Sequence, residues 1–237
     1  MTQGLSGRRA QAARNDEAIL EAAREVFLAD PKAPVAAVAE RAGVGMSALY
    51  RRFPGKEDML RRLCHDGLLR YNAEAERALA QSKAQSGAQS EAQPAARSEA
   101  GWQALEAFLG NVVDADVHSL TVHLAGTFTP TEEMTQAARR SGELAARLVK
   151  NAQAALRPGV GVTDLGFVLE ACAAVRVPDV GRTKELRRRY LAVILAGLRR
   201  AEGSDASKEA ISELPGPPPT AVEANWRWRI PAEPTRK

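Results

Sequence analysis

Aromatic side chains are scarce in this chain: they fill 5% of its 237 positions, although 45% are hydrophobic. The apolar content is therefore mostly Ala, Leu and Val, a mixture that favours helices over strands. Long hydrophobic runs are missing as well. No stretch reaches the roughly 18 apolar residues a membrane span needs, so no membrane partner is expected. The leading segment MTQGLSGRRAQAARNDE has arginines but no apolar stretch behind them, which argues against a secretory signal and for a cytoplasmic setting. Cysteine is limited to Cys64 and Cys172, far apart and without metal-ligand spacing, so two reduced, buried thiols are expected. A Gly-rich phosphate loop, a nucleophile elbow and His/Glu zinc spacing are all absent, so neither an enzyme nor a cofactor is expected. His118 and His123 lie five apart and diverge on a helix, which makes a metal site improbable.

One sign of charge barely dominates. The net charge of +4 is too small to identify a nucleic-acid binder, but residues 1–70 hold 12 Lys and Arg against 9 Asp and Glu and so carry +3 of it. The first fourteen residues hold Arg8, Arg9 and Arg14 and no acid, and read as a flexible basic arm. Beside a DNA-binding motif such an arm is a candidate for phosphate or minor-groove contact.

That motif is the stretch VAAVAERAGVGMSALYRRF, Val35 to Phe53. Val35, Val38, Ala39 and Ala42 give one helix an apolar face, and small Ala39 permits a close crossing. Gly43 interrupts where the backbone can take a positive φ. A second short helix follows with Leu49 and Phe53 inward, leaving Met46, Ser47, Ala48, Tyr50 and Arg51 on its other faces. This is a helix-turn-helix whose second helix suits a DNA major groove. Before it, residues 15–29 form an amphipathic helix with Asn15 as N-cap, closed by Pro31 and Pro34. After it, Pro54-Gly55 turns into a long helix whose first residue, Lys56, is placed to meet a DNA phosphate together with the backbone N–H groups of that helix end.

The run AERAGVGMSALYRRFPGKEDML, with a helix on either side, resembles the N-terminal domain of the TetR family of bacterial transcriptional regulators over about residues 14–70. The resemblance implies an all-α fold: a three-helix DNA-binding domain over residues 15–60, then a larger helical ligand-binding and dimerisation bundle over 61–200. It places Gly45, Met46, Ser47 and Ala48 at base edges, Tyr50 and Arg51 on phosphates, and Lys56 at the cap of the following helix. Pro34 stands where many members have a Thr, and Ser47-Ala48 where a Gly-Thr pair is frequent. Fewer direct base contacts and a larger phosphate share are therefore expected, since Ala48 can touch a thymine methyl but cannot hydrogen-bond.

The remaining chain reads as helices separated by two polar stretches. Residues 81–100, rich in Gln, Ser and Ala, read as a flexible linker or insertion, and Pro-rich residues 201–237 as a mostly disordered tail. Trp226, Trp228 and Ile230 form a short amphipathic segment within it. The last two helices are expected to pair with a second copy. The resemblance implies a four-helix homodimer interface that includes Leu165, Leu169, Cys172, Leu186, Tyr190, Val193, Ile194 and Gly197, with Gly197 allowing close approach. A pocket for a small, partly hydrophobic effector would draw on Trp102, Phe108, Val112, His118, His123, Phe128, Met134 and Phe167. Asp114 and His118, four apart, are expected to share a helix face and pair. The function implied is a repressor of palindromic double-stranded operator DNA, released by its effector. The alternative is a helical adaptor that keeps the helix-turn-helix as scaffold.

Overall fold

The computed structural model describes residues 3–87, 94–124, 126–200 and 214–224, with side chains left out at 3–14, 86–87, 94–95, 122, 221 and 224. Ten helices make up the regular structure of those residues: α1 (Gln3–Ala29), α2 (Val35–Ala42), α3 (Met46–Arg52), α4 (Lys56–Gly87), α5 (Pro94–Asp114), α6 (Val117–Leu124), α7 (Glu132–Ala152), α8 (Val162–Ala174), α9 (Val180–Leu198) and α10 (Ala221–Ala224). The expected all-α class is what the chain adopts, and among the described residues no helix is long and apolar enough to cross a membrane.

Helices α1 to α3 gather around Ile19, Ala23, Phe27, Val38, Ala39 and Leu49, with Phe53 closing the end of α3. The helical periodicity of the sequence predicts each of these. It does not predict that Leu120 and Leu124 of α6, Phe128 and Met134 belong to the same cluster, together with Met59, Leu60 and Leu63 of α4. The expected boundary at residue 60 thus runs through a continuous core. The physical reason is size: two helices of seven and eight residues beside α1 enclose too little apolar surface to stand alone. Upstream, α1 starts at Gln3, so Asn15 lies inside the helix rather than at its cap and the backbone of residues 3–14 is helical rather than a loose arm.

The second cluster lies between α4, α5, α7, α8 and α9, with Leu105, Phe108, Leu109, Leu144, Leu148 and Leu165 among its fully buried side chains. Tyr71 meets Phe108 edge to face, with ring centroids 5.0 Å apart. One polar tie crosses this packing: buried Asn72 donates to the Ala137 carbonyl at 3.1 Å and accepts from the Ser141 hydroxyl at 2.7 Å. The linker expected over 81–100 is narrowed, because α4 continues to Gly87 and α5 begins at Pro94, while residues 88–93 lie outside the described residues. Ala, Gln and Lys suit a helix without needing to bury themselves, and Ser82 is buried along the way. Part of the expected disordered tail is ordered as well. Leu214 packs on the second cluster and the Thr163 hydroxyl donates to the Pro219 carbonyl at 2.6 Å. At the start of α8, Asp164 accepts from the Gly161 N–H at 2.7 Å. Trp226, Trp228 and Ile230 lie outside the described residues.

Helix α5 crosses α7 at Gly101, where a Cβ would run into the carbonyl of Asn151 and sit 3.0 Å from the Ala152 nitrogen. Backbone cannot swing aside as a flexible side chain can, so this close approach requires glycine. Replacing Gly101 by Ala should lower unfolding stability by about 1–3 kcal/mol despite the better helix propensity of alanine, as overpacking does elsewhere. Urea denaturation of the variant measures the loss, and an unchanged midpoint would show that the crossing tolerates a side chain.

Candidate nucleic-acid interface and effector region

The turn of the helix-turn-helix is built by backbone chemistry. Gly43 adopts φ 65° and ψ 31°, a left-handed conformation open to glycine at little cost. Its N–H reaches the Glu40 carbonyl at 3.1 Å, and the Val44 N–H reaches Ala39 at 3.0 Å. This nested pair satisfies the last carbonyls of α2 and redirects the chain. Helix α3 then starts at Met46, anchored by fully buried Leu49. Met46, Ser47, Tyr50 and Arg51 stand exposed on its outer side, while Ala48 is half-buried and Gly45, just before the helix, is exposed. Arg52 is committed to Asp16 of α1 at 3.0 Å and Arg41 to Glu25 at 2.5 Å. Arg51 has no such ion pair among the described residues.

Lys56 is a correction. Its ammonium turns inward, donating to the carbonyls of Pro31 at 2.8 Å and Ala33 at 2.9 Å and lying 5.0 Å from the Phe27 ring centre. The two prolines that end α1 leave carbonyls with no helical donor, and Lys56 supplies one. Its charge closes the α1–α2 loop, so the side chain is not free to reach for a phosphate. The side chains of Arg8, Arg9 and Arg14 lie outside the described residues. The first turn of α4 is itself locked: Glu57 accepts from Thr129 N–H at 3.1 Å and from Arg61 at 2.7 Å, and Arg61 donates to the Thr129 carbonyl at 2.9 Å.

The expected dimer residues divide into two sets. Leu165, Leu169 and Cys172 are buried inside the protomer, at 1%, 2% and 1% exposure, and cannot form an interface; they fill the apolar stripe by which α8 meets its own bundle. Tyr190, Val193 and Gly197 of α9 are exposed, with Leu186 and Ile194 half-buried beside them. A Cβ on Gly197 would meet nothing within 4 Å, so no close approach within the protomer requires it. Phe167 of α8 is on the surface as well, which removes it from the expected pocket.

The remaining pocket residues do not converge either. Trp102 and Phe108 are packed into the second cluster, with the Arg199 guanidinium 5.5 Å from the Trp102 ring, while Phe128 and Met134 belong to the first cluster. His123 is bound to the Ser119 carbonyl at 2.9 Å. Val112 and His118 do share a small cavity of about 10 Å³, enough for about one water, with Asp116, Cys172 and Arg187. Asp114 and His118 do not pair, because the helix breaks between them at Asp116, which takes φ 51°. Asp114 instead grips Arg188 with both oxygens, at 2.5 and 2.8 Å.

Arg187, 3% exposed, is the residue that sequence reasoning missed: within Arg187-Arg188-Arg189 it looks like a solvated charge. It donates to the carbonyls of Val175 at 3.0 Å and Ala173 at 3.2 Å, and to the Asp116 carboxylate, which also takes the Ser119 hydroxyl. Burial pushes the Cys64 thiol up to about 12 and raises Cys172 too, so both remain protonated thiols near neutral pH. Desolvation pulls His118 down to about 4 from 6.5, holding the imidazole neutral. The unfolded chain therefore takes up a proton at His118 between pH 6.5 and 4 that the folded chain refuses, and stability falls as pH drops through that window. Across it the native protein should lose on the order of 3 kcal/mol more than a His118→Gln variant, as urea midpoints at pH 7 and pH 4.5 would show.

Two family descriptions match the sequence: "Bacterial regulatory proteins, tetR family" over residues 19–63, and "Transcriptional regulator SbtR-like, C-terminal domain" over residues 100–200. No curated protein matches the chain. Among solved structures, it is similar to a TetR transcription regulatory protein from Mycobacterium vanbaalenii, at 25% identity and a TM-score of 0.51, over 81% of this chain and 99% of that one. It is also similar to the TetR-like regulator LfrR from Mycobacterium smegmatis, solved in complex with proflavine, at 22% identity and a TM-score of 0.50, over 76% and 95% of the two chains. The motif around Gly43 and the bundle from α5 to α9 are thus matched separately, in the order found here, and the chain belongs to the TetR family of bacterial transcriptional regulators.

Proposed function

We propose that the protein is a homodimeric repressor that binds two-fold symmetric operator DNA through α3 and releases it when a small effector enters the C-terminal bundle. The observation that carries this reading is the outer side of α3: Met46, Ser47, Tyr50 and Arg51 stand together on a short helix whose inner side is anchored by Leu49. A helix so presented can insert in a major groove, with Ser47 and Met46 towards base edges and Tyr50 and Arg51 towards the backbone. Since Lys56 is occupied, Arg51 carries more of the electrostatic attraction, joined by the backbone N–H groups at the start of α4.

The exposed apolar residues of α9 support dimerisation. Tyr190 and Val193 are 49% and 63% exposed on a helix whose other side is core, Gly197 is exposed on the same helix, and Phe167 is exposed on the neighbouring α8. Two copies packed there would place two α3 helices for successive major grooves, about 34 Å apart. The effector would enlarge the cavity beside His118 and Arg187, shift the α5–α6 corner and change that separation.

A gel shift with DNA from upstream of its own gene tests the reading. Binding should weaken steeply with salt, and Arg51→Ala should weaken it and reduce the slope of log affinity against log salt by about 1, one phosphate contact fewer. A folded dimer that binds no such DNA at low salt would favour the scaffold-only alternative. Separately, Val193→Glu should convert the dimer to a folded monomer in sedimentation experiments, with operator affinity lost alongside.

A further inference from the structure

Helix α1 ends at Ala29, and the next N–H that could serve the Leu28 carbonyl, that of Lys32, donates to the Asp30 carboxylate at 2.8 Å instead. The Leu28 carbonyl is one of the orphan acceptors every helix end leaves. Its partner comes from 148 residues downstream: Arg176 Nη1 donates to it at 2.7 Å, placing a cation at the negative end of α1. Arg176 stands in the connection between α8 and α9, and that connection is held on both sides. The Thr183 hydroxyl of α9 accepts from Val177 N–H at 3.1 Å and donates to the Val177 carbonyl at 3.0 Å, and Arg187 of α9 holds the Val175 carbonyl. A second tie runs parallel: Arg24 of α1 donates to the Asp116 carbonyl at 3.3 Å, and Asp116 is held by the same Arg187.

We infer that Arg176 is a positioning residue for DNA recognition, which fixes the angle between α1 and the α8–α9 pair and so sets the separation of the two recognition helices. The inference rests on the proposed DNA-binding dimer. If α9 carries the dimer contact, a cap from its corner onto α1 couples dimer geometry to the DNA-binding helices directly, in addition to any route along α4. The device is a charge-assisted hydrogen bond from a braced loop, so its loss frees one angle without opening a core.

The test uses full-length protein and an operator selected by the wild type from random duplexes, with spacers between half-sites then changed by one or two base pairs. Arg176→Ala should bind the preferred spacing roughly tenfold more weakly, as when a freed angle leaves about one dimer in ten with both α3 helices at that spacing, and should discriminate less between spacings. Arg176→Lys, which keeps a cationic donor, should restore the preference; the dimer should be unchanged in both, and the thermal midpoint should fall by only a few degrees in Arg176→Ala, since one hydrogen bond is lost and no core is opened. Wild-type affinity and spacing preference in Arg176→Ala would overturn the inference, as would an equal loss at every spacing. Spin labels on Ser47→Cys give an independent readout without DNA, since Cys64 and Cys172 are buried. The distance distribution between protomers should broaden when Arg176→Ala is added, and an unchanged width overturns the inference. Failure of the wild type to select any DNA would count against the regulator reading, while the label distances would still decide whether Arg176 holds the domains.

Discussion

A buried guanidinium cannot lose its proton and cannot be left without acceptors, and Arg187 imposes that constraint on three segments at once. It requires the last carbonyls of α8, which would otherwise be orphans, and it requires the carboxylate of Asp116. Asp116 is able to answer because it sits at the break between α5 and α6 with a positive φ, a conformation Asp tolerates better than most residues. The end of α8, the start of α6 and the middle of α9 are thus tied to one charge. Movement of any of them would expose an unpaired ion in a poorly solvated place, so the three are expected to move together or not at all.

The sequence reveals those parts of the fold that depend on local periodicity and turn chemistry. Val38, Leu49 and Phe53 face inward as their spacing predicts, and Gly43 takes the positive φ its position suggests. What it conceals is long-range pairing. Lys56 looks like a phosphate ligand because its helix end attracts anions, and only the folded α1–α2 loop shows that two carbonyls claim it first. Arg187 hides among neighbouring arginines for the same reason, since helical spacing says which face a residue occupies but not which orphan carbonyls lie there. The dimer residues show a related limit. A periodic apolar stripe on α8 marks burial, and Leu165, Leu169 and Cys172 turned out to be buried against their own bundle.

The outer side of α3 is legible at the level of residue type, because Met46, Ser47, Tyr50 and Arg51 are left over once the core positions are assigned. The effector region is not. Its expected residues are scattered between two cores and the surface, and the small cavity beside His118 is lined partly by α8 and α9 residues that periodicity assigns to packing. A pocket depends on how several helices diverge, and divergence is decided by contacts such as Gly101 against Asn151 that no single segment encodes.

The first cluster carries a consequence for modularity. Leu120, Leu124, Phe128 and Met134 complete the core around the helix-turn-helix, so the chain has no seam at which a recognition module could be exchanged for another. A chimaera joined after α4 would inherit a foreign α6 against this α1, with mismatched side-chain volumes in the first cluster. Divergence in the operator preference proposed above would therefore be channelled into the outer residues of α3, which belong to neither core cluster. The inner residues of α1, against which α6 packs, are the ones bound to change in step with it.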